Sequence, residues 1–375
     1  MERNDDIEAL LRLAACPGSQ GARRLLEQAT PAEALAAGPA LWSACGLTPL
    51  QSARLQRPDG AMLDRARAWL EVPGRHLLGW HDPDYPPLLR RGGNPPAALF
   101  LDGDPALLWR PGVAVVGSRS PSPVGVETAR ELGSALARAG LVVASGMAAG
   151  IDAAAHEAAL DARGGTLAVL GTGPDVPYPR RNAALHRRLC ATGLVASELP
   201  PGTGPRSSQF PSRNRILAAL SVGTVVVEAA RRSGALITAR LAGEYGREVM
   251  AFPGSIRNPV ARGCHRLIRD GAALVEDPAE VLELVAPVVS RLAGDLRGRI
   301  AAPIQGVPTG PPRAVIDPAA APPDPVWRAL AHDPGSLDEL AVRSGLTVAE
   351  VSSMLLSLEL EGRVAARHGR WYRTG

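Results

Sequence analysis

Lysine is missing from all 375 residues, so each of the 41 basic side chains is an arginine. That absence removes whole mechanisms. No Schiff-base lysine, P-loop lysine or lysine general base can operate. Every cationic contact must be a guanidinium, which proton loss cannot switch off, and this suits gripping polyanions better than moving protons. Cysteine is sparse as well. Cys16, Cys45, Cys190 and Cys264 lie far apart with no C-x-x-C pair, which argues against zinc sites and disulfide frameworks. No apolar run reaches membrane-spanning length, and Met1 to Asp6 carries no signal-peptide pattern. The expectation is a cytoplasmic chain with no membrane, metal or cofactor.

Several catalytic signatures are missing too. A dinucleotide site needs G-x-G-x-x-G after a strand and an acid ending the next strand. Gly117-Ser118-Arg119 lacks the second glycine, and Gly171-Thr172-Gly173 lacks the third. No G-x-S-x-G elbow is present for a hydrolase triad. Asp152 and His156 stand four apart on one expected helix face, either as an acid–base pair or as a brace for the helix start; the brace is the preferred reading. Glu228, near Ser233-Gly234, is the best candidate for a nucleotide-type site, yet it has no evident acid–base partner. No catalytic residue is assigned.

What is present is a layered chain. At 46% hydrophobic residues it can build a full core, and its length predicts two or three domains. Residues 1–72 read as short helices, with Ile7, Leu10, Leu11 and Leu13 at helical spacing. Cys16 to Gly21 resembles the turn of a helix-hairpin-helix, although its glycine spacing favours a plain helical module. Residues 73–287 alternate short apolar runs with glycine turns and helix-length segments. The runs Val113–Val116, Leu141–Ser145, Thr166–Leu170, Leu194–Glu198, Thr224–Glu228, Glu248–Phe252 and Ala273–Val275 predict a parallel, doubly wound α/β sheet. Residues 288–324 are rich in Pro, Ala and Gly and read as a stiff, largely unstructured linker. In residues 325–375, Ser336-x-x-Glu339 and Thr347-x-x-Glu350 are capping boxes, and two apolar runs flank His368-Gly369 as a wing. The unit reads as a winged helix. Its presumed recognition helix, Thr347 to Gly362, carries Glu350, Glu359 and Glu361 and no Arg, so protein contact or packing is preferred over groove reading.

The stretch Gln209 to Leu217 is the richest in binding chemistry. Phe210 can stack on a base, while Arg213 and Arg215 can grip phosphate and Asn214 adds an amide. From Arg206 to Arg240 there are six Arg against Glu228 alone, a net +5 beside +4 for the whole chain. Ligands of parallel sheets sit beyond the carboxyl ends of the strands. If the sheet is parallel, Arg119, Phe210, Arg213 and Arg215 should converge on one rim.

Read together, these stretches resemble one family. Gly117-Ser118-Arg119, Ser145-Gly146 through Gly150-Ile151-Asp152 with His156, and Tyr178-Pro179 with Asn182 match its motifs. So do Ser197-Glu198, Phe210-Pro211-x-Arg213-Asn214-Arg215, Glu228 with Ser233-Gly234 and Thr238, and Pro253-Gly254. The chain resembles the DNA-processing protein A (DprA/Smf) family over about Tyr85 to Val285. The resemblance implies an extended Rossmann-like fold flanked by a helical SAM-like domain and a winged helix. It implies sequence-independent binding of single-stranded DNA, protection of incoming strands, displacement of single-strand-binding protein and loading of the RecA recombinase in natural transformation. Family members act as homodimers. Family binding positions fall on Ser118, Arg119, Phe210, Arg213 and Asn214, to which sequence position adds Arg215, Ser233 and Gly234. The motif glycines Gly117 and Gly146 complete the candidate set. Gly263-Cys264-His265 departs from the family's Asn-bearing motif, and Arg206, Arg231 or Arg232 would replace lysines used elsewhere. The rival reading is a Rossmann-like hydrolase related to nucleoside-monophosphate phosphoribohydrolases. Its Pro-Gly-Gly-x-Gly-Thr motif does not fit Arg231-Arg232-Ser233-Gly234.

Overall fold

The computed structural model describes residues 2–16 and 20–301, then 329–330, 336–348, 351–352, 354–355, 358, 364–367 and 370–373. Two compact units result, Met1–Ala301 and Ala302–Gly375.

All seven expected runs become strands of one sheet, joined by two earlier strands. In chain order these are β1 (Arg75–Gly79), β2 (Ala98–Gly103), β3 (Gly112–Val116), β4 (Val142–Ser145) and β5 (Thr166–Val169). They continue as β6 (Leu194–Ser197), β7 (Ser221–Val226), β8 (Glu248–Ala251) and β9 (Ala273–Leu274). The order across the sheet is β1-β2-β6-β5-β4-β3-β7-β8-β9. From β6 to β9 every pairing is parallel, whereas β1–β2 and β2–β6 are antiparallel. Seven parallel strands carry the doubly wound pattern, and the hairpin extends it.

The N-terminal helices are α1 (Glu2–Ala14), α2 (Gln20–Leu26), α3 (Pro31–Ala36), α4 (Gly38–Ala44), α5 (Pro49–Gln56) and α6 (Gly60–Leu70). Thr30 and Thr48 open α3 and α5 with reciprocal capping boxes. Leu11, Leu13, Leu25 and Leu55 share one hydrophobic cluster with Leu99 and Phe100 of β2. Trp69 meets Phe100 edge-on at 6.0 Å and 77°.

The sheet's helices are α7 (Pro87–Arg90), α8 (Pro123–Arg138), α9 (Ile151–Asp161), α10 (Ala183–Thr192), α11 (Gln209–Leu220), α12 (Ala235–Glu244), α13 (Arg262–Arg269) and α14 (Pro278–Ala301). Alternation along β3 sorts them onto two faces. Val113 and Val115 bury against α8 and α9, and Ala114 and Val116 against the cluster holding Ile216 and Leu217 of α11. Residues 288–301, read from sequence as the start of the linker, instead continue α14 through Pro287. Val288, Val289 and Leu292 pack against the cluster that buries Val281 and Val285, and that burial outweighs the helix penalty of the proline. Residues 302–324 of the expected linker lie outside the described residues, as do Pro17 to Ser19 of the hairpin-like turn.

In the second unit, α15 (Leu337–Ser344) opens on the Ser336/Glu339 capping box and closes at Gly345, whose φ is 71°. A hairpin pairs β10 (Val364–Arg367) with β11 (Arg370–Arg373). Leu330, Leu340, Val351, Leu355, Leu358 and Val364 form its core. Glu350, most of the expected recognition helix after Val348, and the wing turn His368-Gly369 lie outside the described residues.

Candidate nucleic-acid interface

β3 and β7 lie side by side, yet the chain runs from β3 to β4 on one side and from β7 to β8 on the other. Such a reversal opens a crevice beyond the strand ends, because the helices that follow leave to opposite faces. A cavity of about 710 Å³ occupies it. Its walls are the turn Gly117 to Ser120 after β3, the head of α11 with the loop before it, and Ala230 to Thr238 leading into α12.

Phe210 is the centre of the crevice. Its ring lies over Gly171 at the end of β5, where a Cβ would come within 2.8 Å of the ring. Tyr178 meets it at 5.2 Å with the planes tilted by 36°. The Arg119 guanidinium stands 5.8 Å from the Phe210 centroid, within cation–π range. Tyr178 was not among the sequence-derived site residues. Its signal was its place just beyond the glycine turn after β5. Asn182 fixes that segment by donating Nδ2 to the Met147 carbonyl at 2.9 Å.

The structure divides the sequence-derived residues. Gly117, Ser118, Arg119, Phe210, Arg213, Asn214, Ser233 and Gly234 all line the cavity. Asn214 Nδ2 donates to the Gly234 carbonyl at 3.3 Å, clipping α11 to the turn before α12. A Cβ on Gly234 would meet nothing within 4 Å, so packing does not demand glycine there. Gly146 is the opposite case. A Cβ there would lie 2.3 Å from the Arg213 guanidinium nitrogens, so Gly146 shapes the floor rather than the rim.

The expectation that four side chains share the rim fails for Arg215, and Arg213 belongs to the floor. Arg213 is only 7% exposed, and its guanidinium donates to the Val169 carbonyl. Burial pushes its pKa down to about 10, with Asp152 countering and Arg119 adding repulsion. Arg215 turns away into a buried ion pair with Glu198 at 2.6 Å. The two residues are two apart on one helix, about 200° in rotation, so they cannot face the same way.

The carboxylates around the crevice are engaged. Asp152 accepts from the amides of Gly146 at 3.2 Å and Ala148 at 3.3 Å. Burial raises its pKa, with Arg213 opposing. His156 is fully buried against Thr166 Oγ1 at 2.7 Å, and burial, helped by Arg213, holds its pKa near about 3. Glu228 receives the Ser122 amide at 2.8 Å, the Ser122 hydroxyl at 2.6 Å and Asn258 Nδ2 at 3.2 Å. It braces the start of α8. Among the described residues no group of three His, Cys, Asp or Glu is placed to hold a metal ion. Nor is any described helix long and apolar enough to cross a membrane.

The rim is left cationic. Arg119, Arg206, Arg231 and Arg232 are exposed and form no ion pair among the described residues. Arg119, Arg206 and Arg232 line the cavity itself. Of the six arginines in the basic window, Arg240 pairs with Glu244 at 3.8 Å, so Arg206, Arg231 and Arg232 supply its free charge.

Comparison with known proteins identifies the family. The family model for DNA recombination-mediator protein A matches residues 76–286, and that for the DprA winged helix domain matches residues 310–370. Protein Smf of Escherichia coli K12 is 38% identical over 333 residues, 88% of this chain and 85% of that protein. DNA processing protein DprA of Streptococcus pneumoniae is 48% identical over 187 residues, 50% of this chain and 66% of that one. The X-ray structure of DprA from Streptococcus pneumoniae superposes with a TM-score of 0.65 at 37% identity, covering 74% of this chain and 97% of that chain. These matches place the chain in the DNA-processing protein A (DprA/Smf) family.

Proposed function

We propose that the crevice holds single-stranded DNA without regard to sequence. Phe210 and Tyr178 supply the stacking surface, while Arg119, Arg206 and Arg232 take the phosphates. One observation carries the reading: unpaired guanidiniums ring an aromatic pair, and the nearby carboxylates are all committed elsewhere. Every base offers a π-face, so stacking tolerates any sequence, but a duplex keeps its bases stacked on one another. An anion in the crevice also relieves the repulsion between Arg119 and Arg213.

The family resemblance extends the proposal. The chain would shield incoming single strands, ease single-strand-binding protein aside and load RecA, as a cytoplasmic homodimer acting in natural transformation. We assign no catalytic step. Glu228, the acid that a nucleotide-hydrolysing relative would use, is held as a helix brace. Residues 1–72 would serve as a helical module and 73–287, with α14 running on to Ala301, as the binding domain. The linker would begin after Ala301, and the winged helix, placed at 325–375 from sequence, would overlap the family match over 310–370.

The test is fluorescence anisotropy with labelled oligothymidylate and its duplex across a salt series. Wild type should prefer the single strand, with affinity falling by a log–log slope of about 0.7 per neutralised phosphate. Phe210→Ala should cost on the order of 1–3 kcal/mol of binding. Equal affinity for duplex, or an unaffected Phe210→Ala, would sink this reading in favour of the nucleotide-hydrolase alternative.

A further inference from the structure

α11 has a second cavity on its other side. It measures about 290 Å³ and is lined by Gln209, Ser212, Arg213 and Ile216, with Leu170 and Glu198 from the ends of β5 and β6. The four α11 residues follow three- and four-residue spacing and so share one helix face. Phe210, Asn214 and Leu217 occupy the neighbouring face, toward the crevice. Arg213 lines both spaces and is the wall between them. The loop leading into α11 also borders both, with Arg206 and Ser207 on the crevice and Ser208 on the second cavity.

The two spaces differ in charge. In the second cavity Glu198 is paired with Arg215 at 2.6 Å. Arg213 is spent on the Val169 carbonyl and, at 3.2 Å, on Asn214 Oδ1. A phosphate would meet the Glu198 carboxylate there and no exposed guanidinium, Arg213 being only 7% exposed. An uncharged planar group would meet the edges of Leu170 and Ile216, both almost fully buried, and the Ser212 hydroxyl as a polar contact. Gln209 Oε1 accepts from the Arg206 amide at 2.7 Å, which leaves its amide nitrogen to donate. Ser208 and Ser212 are exposed, so the mouth opens to solvent.

We propose that this cavity is a base subsite, taking the base of the nucleotide adjacent to the one stacked on Phe210. The inference rests on the crevice being a single-strand site. It divides labour along the strand: the crevice fixes a phosphate and a stacked base, and the second cavity buries the next base without touching its phosphate.

Ser212→Trp tests it, because an indole on that exposed first-turn position fills the cavity and leaves the crevice lining intact. Competition against a labelled oligothymidylate would use thymidine monophosphate, the dinucleotide and longer oligomers, for wild type, Ser212→Trp, Ser212→Ala and Phe210→Ala. The expected result is unchanged mononucleotide binding by Ser212→Trp and about tenfold weaker binding of the dinucleotide and longer strands. Ser212→Ala should follow wild type, and Phe210→Ala should weaken every length. Wild-type behaviour of Ser212→Trp at every length, with Phe210→Ala weakened, overturns the subsite and leaves the crevice standing. Equal weakening of Ser212→Trp at every length also overturns it. If Phe210→Ala changes nothing either, the crevice reading falls with it.

Discussion

The floor of the crevice and its rim are built with the same residue type used in opposite ways. Arg213 in the floor and Arg215 behind it are buried and committed to a carbonyl and a carboxylate. At the rim, Arg119, Arg206 and Arg232 reach into open space with no acid beside them. Buried guanidiniums hold backbone and helix in place and are costly to disturb. Exposed ones contribute little to the fold and are available to a ligand. The difference teaches that arginine count alone does not locate a binding surface; the acids and carbonyls already answering each arginine decide it.

The largest expected effect lies behind the floor. Glu198→Ala leaves Arg215 buried without its partner, which should lower stability by about 3–5 kcal/mol in urea titrations. A loss below about 1 kcal/mol would mean that the pair behaves like a surface bridge, and the contrast would collapse. Next is pH. His156 has a folded pKa of about 3 against an ordinary 6.5, so the unfolded chain binds a proton that the folded chain refuses. Its contribution is therefore complete above 6.5 and lost as pH falls toward about 3, at up to about 1.4 kcal/mol per pH unit. Asp152 acts in the opposite sense, because its raised pKa lets the folded state take up a proton earlier. Urea midpoints measured down this range should fall more gently for His156→Gln than for wild type.

Gly146→Ala comes third. Its methyl would press on the Arg213 guanidinium, destabilising the fold by about 1–3 kcal/mol and weakening oligonucleotide binding without altering the salt slope. The smallest effect on stability belongs to the rim. Arg119→Ala should stay within about 0.5 kcal/mol of wild-type stability yet flatten the log–log salt slope by about 0.7. Should Arg213→Ala behave in the same way, with an intact fold and a flattened slope, the division into floor and rim would be wrong.

Much of this could be read from the sequence. Short apolar runs between glycine turns identified seven strands to within a few residues, because a strand buried on both faces must be continuously apolar. Their lateral order could not be read, since it depends on pairings such as β3 with β7 that no local pattern encodes. β1 was overlooked because its exposed and half-buried residues break the apolar run. Phe210, Arg119 and Asn214 were found from chemistry at the strand ends, and the structure brings all three to the crevice. Arg215 was misplaced although the helical repeat already turned it away from Arg213. Its partner Glu198 sits at the end of a different strand, invisible to spacing. Helix α14 was cut short at Pro287 because composition signals a break, while the burial that holds the helix together is tertiary.

The junction of β3 and β7 also bears on when the protein becomes able to bind. Gly112 pairs with Ser221 and Val116 with Val226, so neighbours in space are synthesised far apart in time. Arg119 leaves the ribosome long before Arg232, so the two walls of the crevice are synthesised apart. A nascent chain that stops before β7 has both rings, Tyr178 and Phe210, and two rim guanidiniums, Arg119 and Arg206, but lacks the wall that carries Arg232. Loop closure of that length is slow compared with helix or hairpin formation. The crevice is thus among the last features to assemble, and its occupancy reports that the parallel sheet has closed across its centre.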